Sequence, residues 1–167
     1  ECCDVINVDS GVDYRLRTLE QAEIFHFPLD QQAEENLMHY FQQLSIEAGQ
    51  KGKVININNR PLTTVQESDG VVHFEFSTLC ESARSQRDYM ELSRLYHTVL
   101  LANVTQMGVD NDDSTRRFIA LVDEFYERHV KLIISAEVAL ESLYLEGRLT
   151  FEFKRCLSRL QEMQSHS

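Results

Sequence analysis

Residues 116–137, RRFIALVDEFYERHVKLIISAE, decide the fold of this chain. Large apolar side chains recur at three-to-four spacing in the first part, which predicts an amphipathic helix. They are Phe118, Leu121, Val122, Phe125 and Tyr126. The run 132–134 that follows is wholly apolar and predicts a buried strand. The stretch therefore predicts a helix that leads directly into the interior of a sheet.

The pair Asp123-Glu124 admits a second interpretation, because it follows an apolar run as the acidic pair of a Walker B strand does. The helical spacing on both sides places the pair in mid-helix instead, on a face predicted to be solvated. The nearest approach to a Walker A phosphate loop is the sequence GQKGKV at 49–54. Its glycine spacing is wrong and no hydroxyl follows Lys53, so the chain contains no phosphate loop of this type.

Charge and hydropathy exclude several classes of function. The formal net charge of −11 over 167 residues argues against non-specific binding to nucleic acid or to anionic membranes. No apolar run approaches the roughly 18 residues of a membrane-spanning helix, so no membrane insertion is expected. Cys2 and Cys3 are adjacent, so they make poor partners for each other and match no zinc spacing, and Cys80 and Cys156 lie among apolar neighbours. A reduced, cytoplasmic protein without disulfides is therefore expected. Because the chain opens on Glu1 rather than Met, we expect further residues upstream.

The predicted fold class is α/β. An apolar strand at 98–102 precedes the opening helix and another follows it, so residues 97–137 form a β-α-β crossover in a partly parallel sheet. Residues 53–77 alternate between apolar and polar side chains around two turns and predict an antiparallel ribbon of two or three strands. A helix is expected from about Asp30, another with Asp88 as its N-cap, and a terminal helix at 150–165. Short strands are expected near residues 5–8 and 13–17.

The arginines are the residues of this chain that could form a functional site. They occur in pairs or beside turns, and a guanidinium matches the geometry of phosphate. The alternative, an ordinary ion pair within the chain, is favoured for each of them. No histidine has the spacing of a zinc site, and nothing favours a Cys80–His97 nucleophilic pair over chance. The arginine candidates for a nucleotide or interface site are Arg15, Arg116, Arg117, Arg155 and Arg159.

Several strings in the chain resemble, in the same order, those of the AFG-type P-loop ATPases. The family has bacterial cell-division members and mitochondrial relatives, and the resemblance covers nearly the whole chain. The strings that carry it include DYR at 13–15, RRFIxLVD at 116–123, SAE at 135–137 and SRLQEMQS at 158–165.

The resemblance implies that residues 1–167 are the carboxyl-terminal portion of such an ATPase, whose Walker motifs lie upstream. The parent protein would use ATP and magnesium, and it would act in the cytoplasm on the tubulin-like division-ring protein FtsZ. A homo-oligomer is one of its expected states. This stretch alone would need no cofactor and would hold no catalytic residue or metal. Ser135 and Glu137, at the end of the predicted strand, are further site candidates. The alternative is a non-catalytic interaction module that docks the division-ring partner.

Overall fold

A computed structural model describes residues 25–45, 49–82 and 84–165 of the chain. The strands expected near 5–8 and 13–17, and with them Arg15, lie outside the described residues. Within the described ranges, no helix is both long enough and apolar enough to cross a membrane.

The described residues form a six-stranded mixed sheet at the centre of the fold. Its strands are β1 (Phe25–His26), β2 (Gln50–Lys51), β5 (Gln66–Ser68), β6 (Val71–Glu75), β7 (Thr98–Val104) and β8 (Lys131–Ala136). They lie in the order β1-β8-β7-β6-β5-β2. The pairs β1·β8, β8·β7 and β7·β6 are parallel, whereas β5 pairs antiparallel with both β6 and β2. The sheet therefore has a parallel centre and an antiparallel edge.

The predicted crossover is confirmed. Helix α4 (Asp112–Glu127) connects β7 to β8, and these strands pair in parallel register from Thr98↔Lys131 to Leu101↔Ile134. Both strands are buried on their two faces, as expected of apolar strands between layers of helix. Helix α4 begins four residues before the quoted stretch, directly after a 3₁₀ turn at Val109–Asn111.

A second crossover joins β6 to β7. It consists of α2 (Phe76–Cys80) and α3 (Gln86–Leu95), and β6 and β7 are again parallel. Asp88 was expected to cap α3, but Ser85 is the N-cap and Asp88 is the third helical residue. Its carboxylate Oδ2 accepts from the Ser85 backbone N–H at 3.1 Å, which satisfies a donor that the helix leaves unpaired.

The residues expected to form one ribbon divide between two sheets. Strands β3 (Val54–Ile57) and β4 (Arg60–Thr63) form a separate antiparallel pair, as the predicted ribbon required. Asn58 and Asn59 form its turn, with φ of 53° and 66°, the left-handed region that asparagine tolerates well. The next hairpin, β5–β6, belongs to the main sheet. Phe76 was expected to extend its second strand, but it begins α2.

The helices cover the two faces of the sheet unequally. Alternate residues of β6, β7 and β8 pack against a large core that includes residues of α2, α3, α4 and the terminal helix α5 (Thr150–Ser165). Among the described residues, the helix that meets the other face is α1 (Gln31–Leu44), which contributes Leu37, Tyr40 and Phe41 to a second, smaller core. The helix begins next to Asp30, as expected, and Asp30 caps it, because its Oδ1 accepts from the Ala33 N–H at 3.0 Å. We call these the closed face and the open face.

Candidate functional site

A cleft of about 790 Å³ lies on the open face, between the first half of α1 and the carboxyl ends of the parallel strands. Parallel α/β sheets bind their ligands at this edge, because the strand ends and the loops after them converge there. We call it the α1 cleft. Its polar and charged lining residues are Asp30, Gln31, Glu34, Lys51, Gln66, His73, Glu75, Asn103 and Ser135.

Three neighbouring strands supply a connected polar group at the floor of the α1 cleft. Asn103 Nδ2 donates to Glu75 Oε1 at 2.7 Å, and the Asn103 backbone N–H donates to Ser135 Oγ at 3.0 Å. Asn103 has φ of 62°, and the pairing of β7 with β8 shifts register between Leu101 and Val104. This irregularity exposes Asn103 at a point where a regular strand would continue its backbone hydrogen bonds to the next strand. Asn103 therefore links the ends of β6, β7 and β8.

His73 is the most unusual group of the α1 cleft. It lies two residues before Glu75 on the same face of β6, and its side chain is 7% exposed. Its Nε2 atom is buried without a hydrogen-bond partner among the described residues. Burial lowers the pKa of His73 to about 4, so the imidazole is neutral at physiological pH. A buried polar atom without a partner costs free energy that a suitable ligand would recover.

The charges that line the α1 cleft are mainly negative. Three carboxylates, those of Asp30, Glu34 and Glu75, share it with one ammonium group, that of Lys51. Because His73 is neutral, it adds no positive charge. An anion such as a nucleotide phosphate would meet net repulsion here. The arrangement suits a hydrogen-bond donor of positive charge.

The strand-end candidates occupy different positions. Ser135 is 2% exposed and lies in the α1 cleft, where its Oγ accepts from Asn103. Glu137 is exposed beyond the end of β8 and does not line the cleft; its Oε2 accepts from the Gln106 backbone N–H at 2.6 Å. The structure thus brings only Ser135 into the site.

The described arginine candidates all lie on α4 and α5, on the closed face. Arg117 is half-buried. It donates to the carbonyl of Cys80, the last residue of α2, at 3.2 Å, and to that of Arg84, beyond the helix, at 3.3 Å. Arg159 is 2.5 Å from Asp123 Oδ1, and its guanidinium carbon lies 5.2 Å from the centre of the Tyr126 ring. Both are engaged inside the chain: Arg159 in an ion pair, as the alternative expected, and Arg117 with backbone carbonyls instead.

Arg116 and Arg155 are exposed. Arg116 lines a small cleft of about 220 Å³ between α4 and α5, together with Asp123 and Glu152. Among the described arginine candidates, these two side chains remain accessible to another molecule. The structure therefore separates the accessible arginines from the α1 cleft by the thickness of the sheet.

The expectation that Asp123 and Glu124 are solvated is wrong for Glu124. Both lie in mid-helix, as predicted, and Asp123 stays partly exposed while it pairs with Arg159 from α5. Glu124 is 8% exposed; it accepts from Gln86 Nε2 at 3.0 Å and lies 3.6 Å from Arg128, four residues later. Because Gln86 is distant in the chain, periodicity alone could not show that Glu124 is buried.

The sequence interpretation missed His73, Glu75 and Asn103 as site residues. One signal was present, because polar residues at alternate positions of an otherwise apolar strand, VVHFE, indicate a polar patch on one face. No signal in the sequence located Asn103. The described residues give no support for a metal site, since they contain no cluster of three or more His, Cys, Asp or Glu side chains that could bind an ion.

Comparison with known proteins decides the family. The model of the AFG1-like ATPase family matches residues 1–167. This chain belongs to that family. It is 52% identical over 163 residues to the cell division protein ZapE of Escherichia coli K12, covering 98% of this chain and 44% of that protein.

A second relative is more distant in sequence. The chain is also 28% identical over 166 residues to lactation elevated protein 1 homolog B of Danio rerio, covering 98% of this chain and 33% of that protein. The chain therefore spans less than half the length of the curated relatives it matches. No solved structure gives a significant match.

Proposed function

We propose that this chain is the carboxyl-terminal portion of an ATP-hydrolysing cell-division protein that acts in the cytoplasm on the FtsZ division ring. The observation that supports it is the 52% identity to a cell division protein over 98% of the chain. Membership of the AFG1-like ATPase family supports the ATP hydrolysis of the parent, and with it a requirement for ATP and usually magnesium. In this proposal the Walker motifs lie elsewhere in the parent protein.

The 167-residue stretch on its own is then inactive. It contains no G-x-x-x-x-G-K-[ST] phosphate loop, and its Asp123-Glu124 pair is held by Arg159, Gln86 and Arg128. We expect no magnesium-dependent ATP turnover from the purified stretch, measured beside the full-length protein under the same conditions. Turnover that persists after removal of contaminating ATPases would overturn the proposal.

Arg116 and Arg155 test whether this portion contributes to hydrolysis. In the full-length protein, Arg116→Ala and Arg155→Ala remove exposed guanidinium groups without disturbing a described hydrogen bond. A fall in ATPase rate of ten-fold or more, with unchanged thermal stability, is expected if either faces nucleotide phosphate across an interface. Lys154→Ala, an exposed cation on the same helix, is the matched control.

The alternative is a docking module that takes no part in hydrolysis. Two observations favour it: Arg117 and Arg159 are engaged within the chain, and the α1 cleft repels phosphate. In this case the Arg116 and Arg155 variants keep their ATPase rate. Co-sedimentation with FtsZ polymers, measured on the same variants, separates the two functions, because loss of binding with intact turnover supports docking alone.

A further inference from the structure

We propose that the α1 cleft binds the guanidinium group of an arginine side chain, presented on an extended segment of a partner polypeptide. This goes beyond the proposed function, because it names the chemistry of a docking partner and does not depend on where ATP is hydrolysed. Three features of the cleft support it: its charge, the arrangement of its acceptors and its apolar wall.

The charge of the α1 cleft selects a cation. Glu75 is half-buried, with Oε1 bound to Asn103 Nδ2. Glu34 and Asp30 add two exposed carboxylates at the rim, and Lys51 offsets only one of the three. A carboxylate that is partly removed from water gains more from an opposite charge than one at the surface does.

The polar groups at the floor of the cleft can accept more hydrogen bonds than the described residues donate to them. Glu75 has a second carboxylate oxygen, Ser135 Oγ has a further lone pair, and His73 Nε2 has no partner in the described part of the chain. A neutral imidazole with its proton on Nδ1 accepts at Nε2. A guanidinium carries five N–H donors and no acceptor, so it matches such a set better than an ammonium or an amide does.

The wall of the α1 cleft is apolar and partly open. Ala33 and Leu37 are buried at its base, whereas Met38 is 44% exposed beside it. The methylene stem of an arginine packs against such a surface while its head group lies among acceptors. The volume of about 790 Å³ exceeds that of one side chain and leaves space for the neighbouring residues of a peptide.

The test measures binding of a fluorescein-labelled pool of nonapeptides to the full-length protein by fluorescence anisotropy. The pool has arginine fixed at its centre and mixed uncharged residues at its flanks. A matched pool has citrulline at the centre, which keeps the shape of arginine without its charge. We expect the arginine pool to bind at least about ten-fold more tightly, and the difference to shrink as salt is raised.

Three variants locate the binding. Glu75→Gln and Glu34→Gln should each weaken the arginine pool, by about ten-fold and about three-fold, because the first carboxylate is half-buried and the second is exposed. Lys51→Gln should tighten binding by about two- to three-fold, an effect that loss of folding cannot imitate. Glu152→Gln, a half-buried carboxylate on the closed face, is the control and should change nothing.

Several outcomes would overturn the proposal. Equal binding of the arginine and citrulline pools would exclude recognition of the guanidinium. Glu34→Gln and Lys51→Gln alter exposed residues. If binding were unchanged in both variants, the peptides would bind outside the cleft. Free arginine that competed as strongly as the peptide pool would exclude a polypeptide partner.

Discussion

The two faces of the sheet contrast in how completely they are covered. On the closed face, four helices seal the core, and aromatic rings pack in series: Phe118 lies 6.1 Å from Phe76 and 6.0 Å from Phe153 between ring centres. On the open face, the described part of the chain supplies one helix, of 14 residues, which covers the middle of the strands and leaves their carboxyl ends beside a cleft.

The two faces also differ in how their charged groups are arranged. On the closed face, Arg117, Asp123 and Arg159 find partners within the chain, although Glu124 Oε1 is buried there without a hydrogen-bond partner among the described residues. On the open face, His73 Nε2 likewise has none, but there the carboxylates of the cleft outnumber its cations. We conclude that the closed face mainly stabilises this part of the chain, whereas its cleft makes the open face the one suited to binding.

The largest expected effect is on the stability of the closed face. Phe118→Ala should lower the free energy of unfolding by about 3–5 kcal/mol, because it leaves a cavity between the rings of Phe76 and Phe153. Met38→Ala, on the open face, should cost less than about 1 kcal/mol, since Met38 is 44% exposed. Urea denaturation measures both. Similar losses in the two variants would contradict the difference between the faces.

The second-largest expected effect is a pH dependence of stability, which arises from His73 on the open face. Burial lowers the pKa of His73 from 6.5 to about 4, so between these values the unfolded chain binds a proton that the folded chain does not. Stability therefore falls as the pH drops from about 6.5 towards 4. At roughly 1.4 kcal/mol per pKa unit the loss amounts to about 3 kcal/mol.

The measurement compares urea denaturation at several pH values between 7 and 4 in the original protein and in His73→Leu. The variant should lack this component of the acid-induced loss of stability. His39→Gln, which alters an exposed histidine on α1, should keep it. If His73→Leu and the original protein lose stability in parallel, His73 is not buried in its neutral form.

The closed face was largely predictable from sequence, because local periodicity determines it. The spacing of Phe118, Leu121, Val122 and Phe125 indicated α4, the apolar run 132–134 indicated β8, and the apolar positions of 150–165 indicated α5. Two apolar strands around a helix then required a parallel pair. The family followed from specific strings rather than from physical pattern.

The open face could not be predicted in the same way. The α1 cleft depends on the pairing of β6 with β7, which brings Glu75 beside Asn103, 28 residues along the chain. It also depends on the left-handed backbone of Asn103 and on the point where α1 leaves the strand ends uncovered. The interpretation of Glu124 as solvated failed for a similar reason, since its partner Gln86 is 38 residues away. The partner of Asp123, Arg159, is 36 residues away and could not be predicted either.

The smallest expected effect concerns that pair. Arg159 and Asp123 have side chains 28% and 30% exposed, so water and salt screen much of their attraction. A double-mutant cycle with Arg159→Ala and Asp123→Ala should give a coupling of about 0.5–1 kcal/mol at low salt, reduced in 0.5 M salt. Arg155→Ala, four residues earlier on the same helix, should change stability by less than about 0.5 kcal/mol. A coupling that salt leaves unchanged would mean that the packing of Arg159 on Tyr126, rather than its charge pair with Asp123, holds α5 against α4 at this point.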